Sequence, residues 1–199
     1  STSITGSISN LPAEYWGLSF AEKKVGTNWV TMWSSISKFG SDTSTFSASM
    51  IEASVGDIVR VWIQISNQGN TYFLGGEELT VSNSNQSYDL TVPSPNIKLS
   101  ISGDSQKLAC ESAWIQVTSE DFDERDKIKP SGSFSDGILN FYLPAGKTYT
   151  FKGSCNGDNE ISESVMASGT LQTVSISLPE ANLTGTISGI TSSNDVYAY

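Results

Sequence analysis

The chain has no histidine, only two arginines (Arg60 and Arg125), two cysteines and no apolar run long enough to cross a membrane. Each shortage removes a class of function. Without histidine there is no Ser-His-Asp triad, no His-ligated zinc or haem and no imidazole acid–base pair. Eleven basic residues against 21 acidic ones, a formal net charge of −10, would repel phosphate rather than bind nucleic acid. A helical membrane span needs about 20 consecutive apolar residues, and none is present. No GxxxxGK[ST] loop is found either. These absences favour a structural or binding protein over an enzyme.

What is abundant is hydroxyl. Thirty-five serines and 17 threonines make up about a quarter of the 199 residues. The apolar residues fall in short segments of period two, bounded by Gly, Asn, Asp, Ser or Pro. Examples are 4–8, 29–33, 58–65, 97–101, 114–117, 138–143, 149–151 and 173–178. No convincing amphipathic helix emerges, so the fold is expected to be all-β.

One phrase occurs three times: ITGSISN (4–10), IKLSISG (97–103) and LTGTISG (183–189). The copies start 93 and then 86 residues apart, and each later copy follows a strand-like stretch and a proline, Pro93 or Pro179. Such spacing is the signature of tandem domains. The expected layout is two Ig-like β-sandwich domains, 1–93 and 94–181, with 182–199 carrying the opening strands of a third repeat. Alternatively, that last segment is a donor strand for another subunit. Its apolar positions, Leu183, Ile187, Val196, Tyr197 and Tyr199, are the candidates for an intersubunit strand. The first unit already has its own opening strand, 4–8, which counts against simple replacement; the tail could instead add to a sheet edge, or 4–8 could itself be the donated segment.

The second unit carries a strand AWIQV (113–117), the segment GSF…LPAGKTYTF (132–151) and a closing alternating strand. It resembles the carboxypeptidase-regulatory-like β-sandwich repeats of prokaryotic surface proteins. The first unit resembles them more loosely, with VGDIVRVWIQI in the place of AGKTYTFKG. The resemblance implies a transthyretin-like or Ig-like sandwich serving as spacer, stalk or adhesive module. Some relatives of this fold form internal Lys–Asn amide crosslinks. Lys98 stands in a suitable opening strand, but the closing strand offers no Asn, so no crosslink is expected.

Cys110 and Cys155 fall within one unit, and in an exported protein such a pair reads as a disulfide. Two separate buried thiols are the alternative. The acidic run EDFDERD places Asp121 and Asp123 on one side of an extended segment, where carboxylates suit Ca²⁺. Arg125 spoils the pattern of a dedicated calcium loop, so a solvated turn is the plainer reading and no cofactor is expected. Asn85 and Asn182 begin glycosylation sequons, with Asn85 in a polar turn. Trp29 and Trp33, four apart, would share one side of a strand as core, domain contact or sugar platform. Trp16 and Trp114 hold similar places in the two units and read as core.

The chain opens on Ser1 with no signal-peptide pattern, as a mature exported protein or an excised piece would. The sequence thus points to an extracellular structural protein. It would be a cell-surface filament subunit, whose partner is itself, or part of a stalk or adhesin with neighbouring repeats as partners. A carbohydrate-binding module using first-unit aromatics, with glycans as partners, is the alternative.

Overall fold

The computed structural model describes residues 2–67, 69–102, 114–119, 138–155 and 158–177. All regular structure within them is β. The strands are β1 (Ser3–Ser9), β2 (Trp16–Val25), β3 (Asn28–Gly40), β4 (Thr45–Ser49), β5 (Ile58–Asn67), β6 (Asn70–Gly75), β7 (Leu79–Thr80), β8 (Gln86–Ser87) and β9 (Leu90–Thr91). Then come β10 (Ile97–Ser102), β11 (Trp114–Ser119), β12 (Ile138–Tyr142), β13 (Thr148–Cys155), β14 (Asp158–Met166) and β15 (Gln172–Ser177).

The same strand plan occurs twice. In the first unit β1 lies between antiparallel β4 and parallel β8 and β9. In the second, β10 lies between antiparallel β12 and parallel β15. The other sheet of each unit has a central strand, β5 or β13, flanked by β2 and β6 or by β11 and β14. The turns repeat down to single bonds. Gly56 N–H donates to Val81 O at 2.8 Å and Gly146 N–H to Ala167 O at 2.9 Å, and both glycines have positive φ. The Gln86 side chain accepts from Ser82 N–H at 3.1 Å, and Gln172 from Ser168 N–H at 2.8 Å.

The units are not separate beads. β12 pairs in parallel with β6, Phe141 opposite Thr71 and Tyr142 opposite Tyr72, so one eight-stranded sheet runs across both. Alternation then sorts its apolar residues to two faces. Ala21, Val59, Val61, Ile63 and Ile65 pack with Ile4, Ile8 and Phe46 of β1 and β4. Phe20, Trp62 and Phe73 turn the other way and join Phe141, Tyr149, Phe151 and Ile176 of the second unit. β5 is therefore buried on both faces from Val59 to Ser66. Two independent sandwiches would not bury it so.

Two expectations about tryptophans need correction. Trp16 is 40% exposed and does not belong to either core. It is the first residue of β2, at the end of the strand, opposite Gly40 on β3 and Ser66 on β5. Trp29 and Trp33 also have different environments. The β2–β3 register jumps between Ser19 and Ala21, leaving 33–36 opposite Phe20 alone. Buried Ser35 fills the gap, its Oγ accepting from Ala21 N–H at 2.8 Å. The bulge leaves Trp33 63% exposed, while Trp29 is half-buried.

Candidate functional site

The opening strand β1 occupies a slot in the first unit whose walls are β4 on one side and β8 and β9 on the other. Its alternation places Ile4 and Ile8 in the core and leaves Thr5 and Ser7 on the outer face. Gly6 points inward between the two isoleucines. A Cβ there would lie 1.9 Å from Tyr88 O and 2.7 Å from the Phe46 ring, so no side chain fits.

The parallel wall keeps one register from end to end. Ile4 faces Gln86, Thr5 faces Ser87, Ile8 faces Leu90 and Ser9 faces Thr91. Where the ladder is interrupted, side chains replace backbone partners. Asp89 Oδ1 accepts from Ser7 N–H at 2.7 Å and from Ser7 Oγ at 2.8 Å. Those bonds hold its carboxyl below the ordinary carboxylate value. Asn85 Oδ1 accepts from Ser3 N–H at 3.3 Å and from Ser3 Oγ at 3.2 Å. An open groove of about 740 Å3 runs over the outer face, lined by Thr5, Ser7, Lys38, Phe39, Thr45 and Asp89 among others.

The equivalent slot in the second unit differs at its centre. Leu99 stands where Gly6 stands and is fully buried among Ile97, Leu139 and Val174. Lys98 lies opposite Asn140 on β12, so an asparagine faces it from the opposite wall to the closing strand. The Asn140 amide nitrogen donates to Asn70 Oδ1 across the seam at 3.2 Å.

A second polar cluster lies between β2 and β5, where Glu22 stands opposite Arg60. Buried Glu22 accepts bonds from Arg60 Nε and, at 2.8 Å, from Trp62 Nε1. The Arg60 guanidinium stands 4.3 Å from the Trp29 ring and 5.1 Å from the Trp62 ring. Trp62 stacks on Phe73 at 4.7 Å, and Lys147 of the second unit reaches to 6.0 Å from the Trp62 ring. Trp29 thus covers an ion pair, and neither it nor Trp33 lines the groove. Period-two reading missed Glu22 and Arg60, although charged residues within the apolar stretches 18–25 and 58–65 were the available signal.

Of the other predicted positions, Asn85 is exposed and holds Ser3 as described. Cys155 ends β13, but Cys110 lies outside the described residues. So do Asp121, Asp123, Asn182, Leu183, Ile187, Val196, Tyr197 and Tyr199. Among the described residues no group of three potential metal ligands comes together.

No family model matches the chain, and no curated protein matches it. Solved structures similar to it include the shaft pilin SpaA of Lactobacillus rhamnosus GG, at 9% identity over 89% of this chain and 98% of that one, TM-score 0.27. The major pilin of Streptococcus pyogenes is 10% identical over 88% and 96%, TM-score 0.22. The Bacillus anthracis TIE protein is 14% identical over 88% of this chain and 33% of that one, TM-score 0.30. At these values the likenesses carry no argument about this chain.

Proposed function

We propose that the chain is a structural subunit of an extracellular, cell-surface filament, assembled head to tail by exchange of opening strands. In this reading 1–93 and 94–181 are two repeats of the carboxypeptidase-regulatory-like kind, and 183–189 is a third opening strand that serves another copy. The supporting observation is the glycine at the centre of the first slot. Of the other two copies of the phrase, LTGTISG has Gly185 at the position of Gly6, whereas IKLSISG has Leu99. The phrase at 183–189 therefore suits the first slot of a second copy, and the one at 97–103 does not. Thr186, at the position of Ser7, keeps a hydroxyl for Asp89.

A head-to-tail contact of this type does not close on itself, so it propagates into a fibre. The composition suits the role, since a hydroxyl-rich, acidic exterior stays soluble without offering a reactive site. Electron microscopy and sedimentation of the full chain test the proposal. Filaments are expected from the full chain and not from a chain lacking 183–199 or carrying Gly185→Leu, whose monomers should melt like the parent. A full chain that remains monomeric at every concentration overturns it.

A further inference from the structure

We infer that each unit is a tension clamp, with the strand that receives the chain bonded directly and in parallel to the strand that releases it. The inference gives a mechanical property to the filament proposed above, where 183–189 of another copy takes the place of β1 in the first-unit ladder, and its biological meaning rests on that reading.

The geometry is clearest in the second unit. The chain enters β10 after Asn96 and leaves β15 at Ser177. Their register runs Ile97 opposite Gln172, Leu99 opposite Val174 and Ser102 opposite Ser177, without a break. The entry and exit points consequently lie at opposite ends of one six-pair parallel ladder. A pull on the chain drives the two strands past each other along their axes. All the slanted bonds between them are then loaded together, and none can be lost before its neighbours. The apolar residues Ile97, Leu99, Val174 and Ile176 would be dragged from a shared core in the same motion.

The first unit repeats the plan with different means. Entry at Ser3 and exit at Thr91 bracket the parallel wall of β1, which holds one register despite the interruption near Gly6. Across that wall the side chains of Asn85, Asp89 and Thr91 bond to Ser3, Ser7 and Ser9 respectively. These bonds are spaced along the strand and lie across the direction of slip. They make up for the two-residue shortness of β8 and β9.

The link between units is also anchored. Asn96 Nδ2 donates to Leu143 O and Ser168 O, both at 2.8 Å, so force arriving at residue 96 passes into the ends of β12 and the turn before β15. β6 and β12 then tie the units side by side.

Single-molecule force spectroscopy on the full chain tests the clamp. Handles at residues 1 and 199 load both ladders in shear. Handles on azide-bearing residues replacing Lys98 and Thr173, which are register neighbours, pull one ladder apart bond by bond. A second pair at Thr5 and Ser87 does the same in the first unit, should the first pair disturb folding. At equal loading rate the end-to-end geometry should rupture at about twice the force of the peeling geometry or more. Asp89→Ala should lower the force of the first-unit event only. Equal forces in the two geometries overturn the inference. A chain that resists shear but never polymerises removes the filament reading and leaves the clamp standing. Filaments built from chains that yield equally in both geometries do the reverse.

Discussion

The side chain of Asn96 bonds to the backbone of Leu143 as a neighbouring strand would. Its Nδ2 donates to Leu143 O at 2.8 Å, and its Oδ1 accepts from Leu143 N–H at 2.9 Å. The same nitrogen also donates to Ser168 O. The site is buried, and the Pro93-Ser94-Pro95 link delivers the chain to it. Asn96→Ala would take the side-chain partner from two buried backbone groups of Leu143 and from the half-buried Ser168 carbonyl, which costs about 2–4 kcal/mol. Asn96→Asp should be at least as harmful, because an acceptor would face two carbonyl oxygens. Urea midpoints of the two variants against the parent measure both. A change below about 0.5 kcal/mol would mean that water replaces the amide there.

The ion pair of Glu22 and Arg60 is nearly inaccessible to solvent, and Trp62 Nε1 shares the same carboxylate oxygen. Removing one member leaves an uncompensated buried charge, so Glu22→Leu and Arg60→Met should each cost about 3–5 kcal/mol. The double variant should cost clearly less than the sum, since no charge then remains unpaired. A thermodynamic cycle measures the coupling. Strict additivity would show that the two charges act independently despite their contact.

The residues that announced themselves in the sequence did so for local reasons. The segments VGDIVRVWIQI and AGKTYTFKG match by their period-two strands, and the glycines in them, Gly56 and Gly146, prove to have positive φ in equivalent turns. The all-β fold was readable from those patterns. The seam was not, since a parallel pairing of 70–72 with 140–142 leaves no local mark. Glu22 and Arg60 were hidden because alternation describes a strand with one wet face, and β5 has none. The slot around β1 was half-visible: the repeated phrase stood out, but the tightness at Gly6 required Tyr88 O beside it.

Trp29 and Trp33 separate the filament reading from a sugar-binding one. Trp29 covers Arg60 at 4.3 Å and also meets Lys24 at 5.4 Å. Trp29→Ala should therefore cost about 1–2 kcal/mol through lost packing and cation–π attraction. Trp33 stands exposed on the bulge, and Trp33→Ala should change stability by less than about 0.5 kcal/mol. A glycan array would give the contrary result if Trp33→Ala abolished a binding signal that the parent shows.

Among the described residues, Glu52, Asp57 and Asp89 have carboxyls held below their ordinary values. Bonds from the Ser34 hydroxyl and N–H lower Glu52, a bond from Lys23 and then one from Ser54 N–H lower Asp57, and bonds from Ser7 N–H and hydroxyl lower Asp89. A carboxyl whose folded pKa is depressed stabilises the fold above its unfolded value and loses that contribution as pH falls through the folded one. The unfolded values are 4.5 for Glu and 3.8 for Asp. Stability should thus be flat in these groups at neutral pH and decline once the pH drops below about 4.5. In Asp89→Asn the amide oxygen can still accept from Ser7, but the charge that titrates is gone. The variant should begin less stable and lose less between about pH 6 and pH 2.5 than the parent. Parallel acid profiles for the two proteins would show that Asp89 does not hold β1 through its charge.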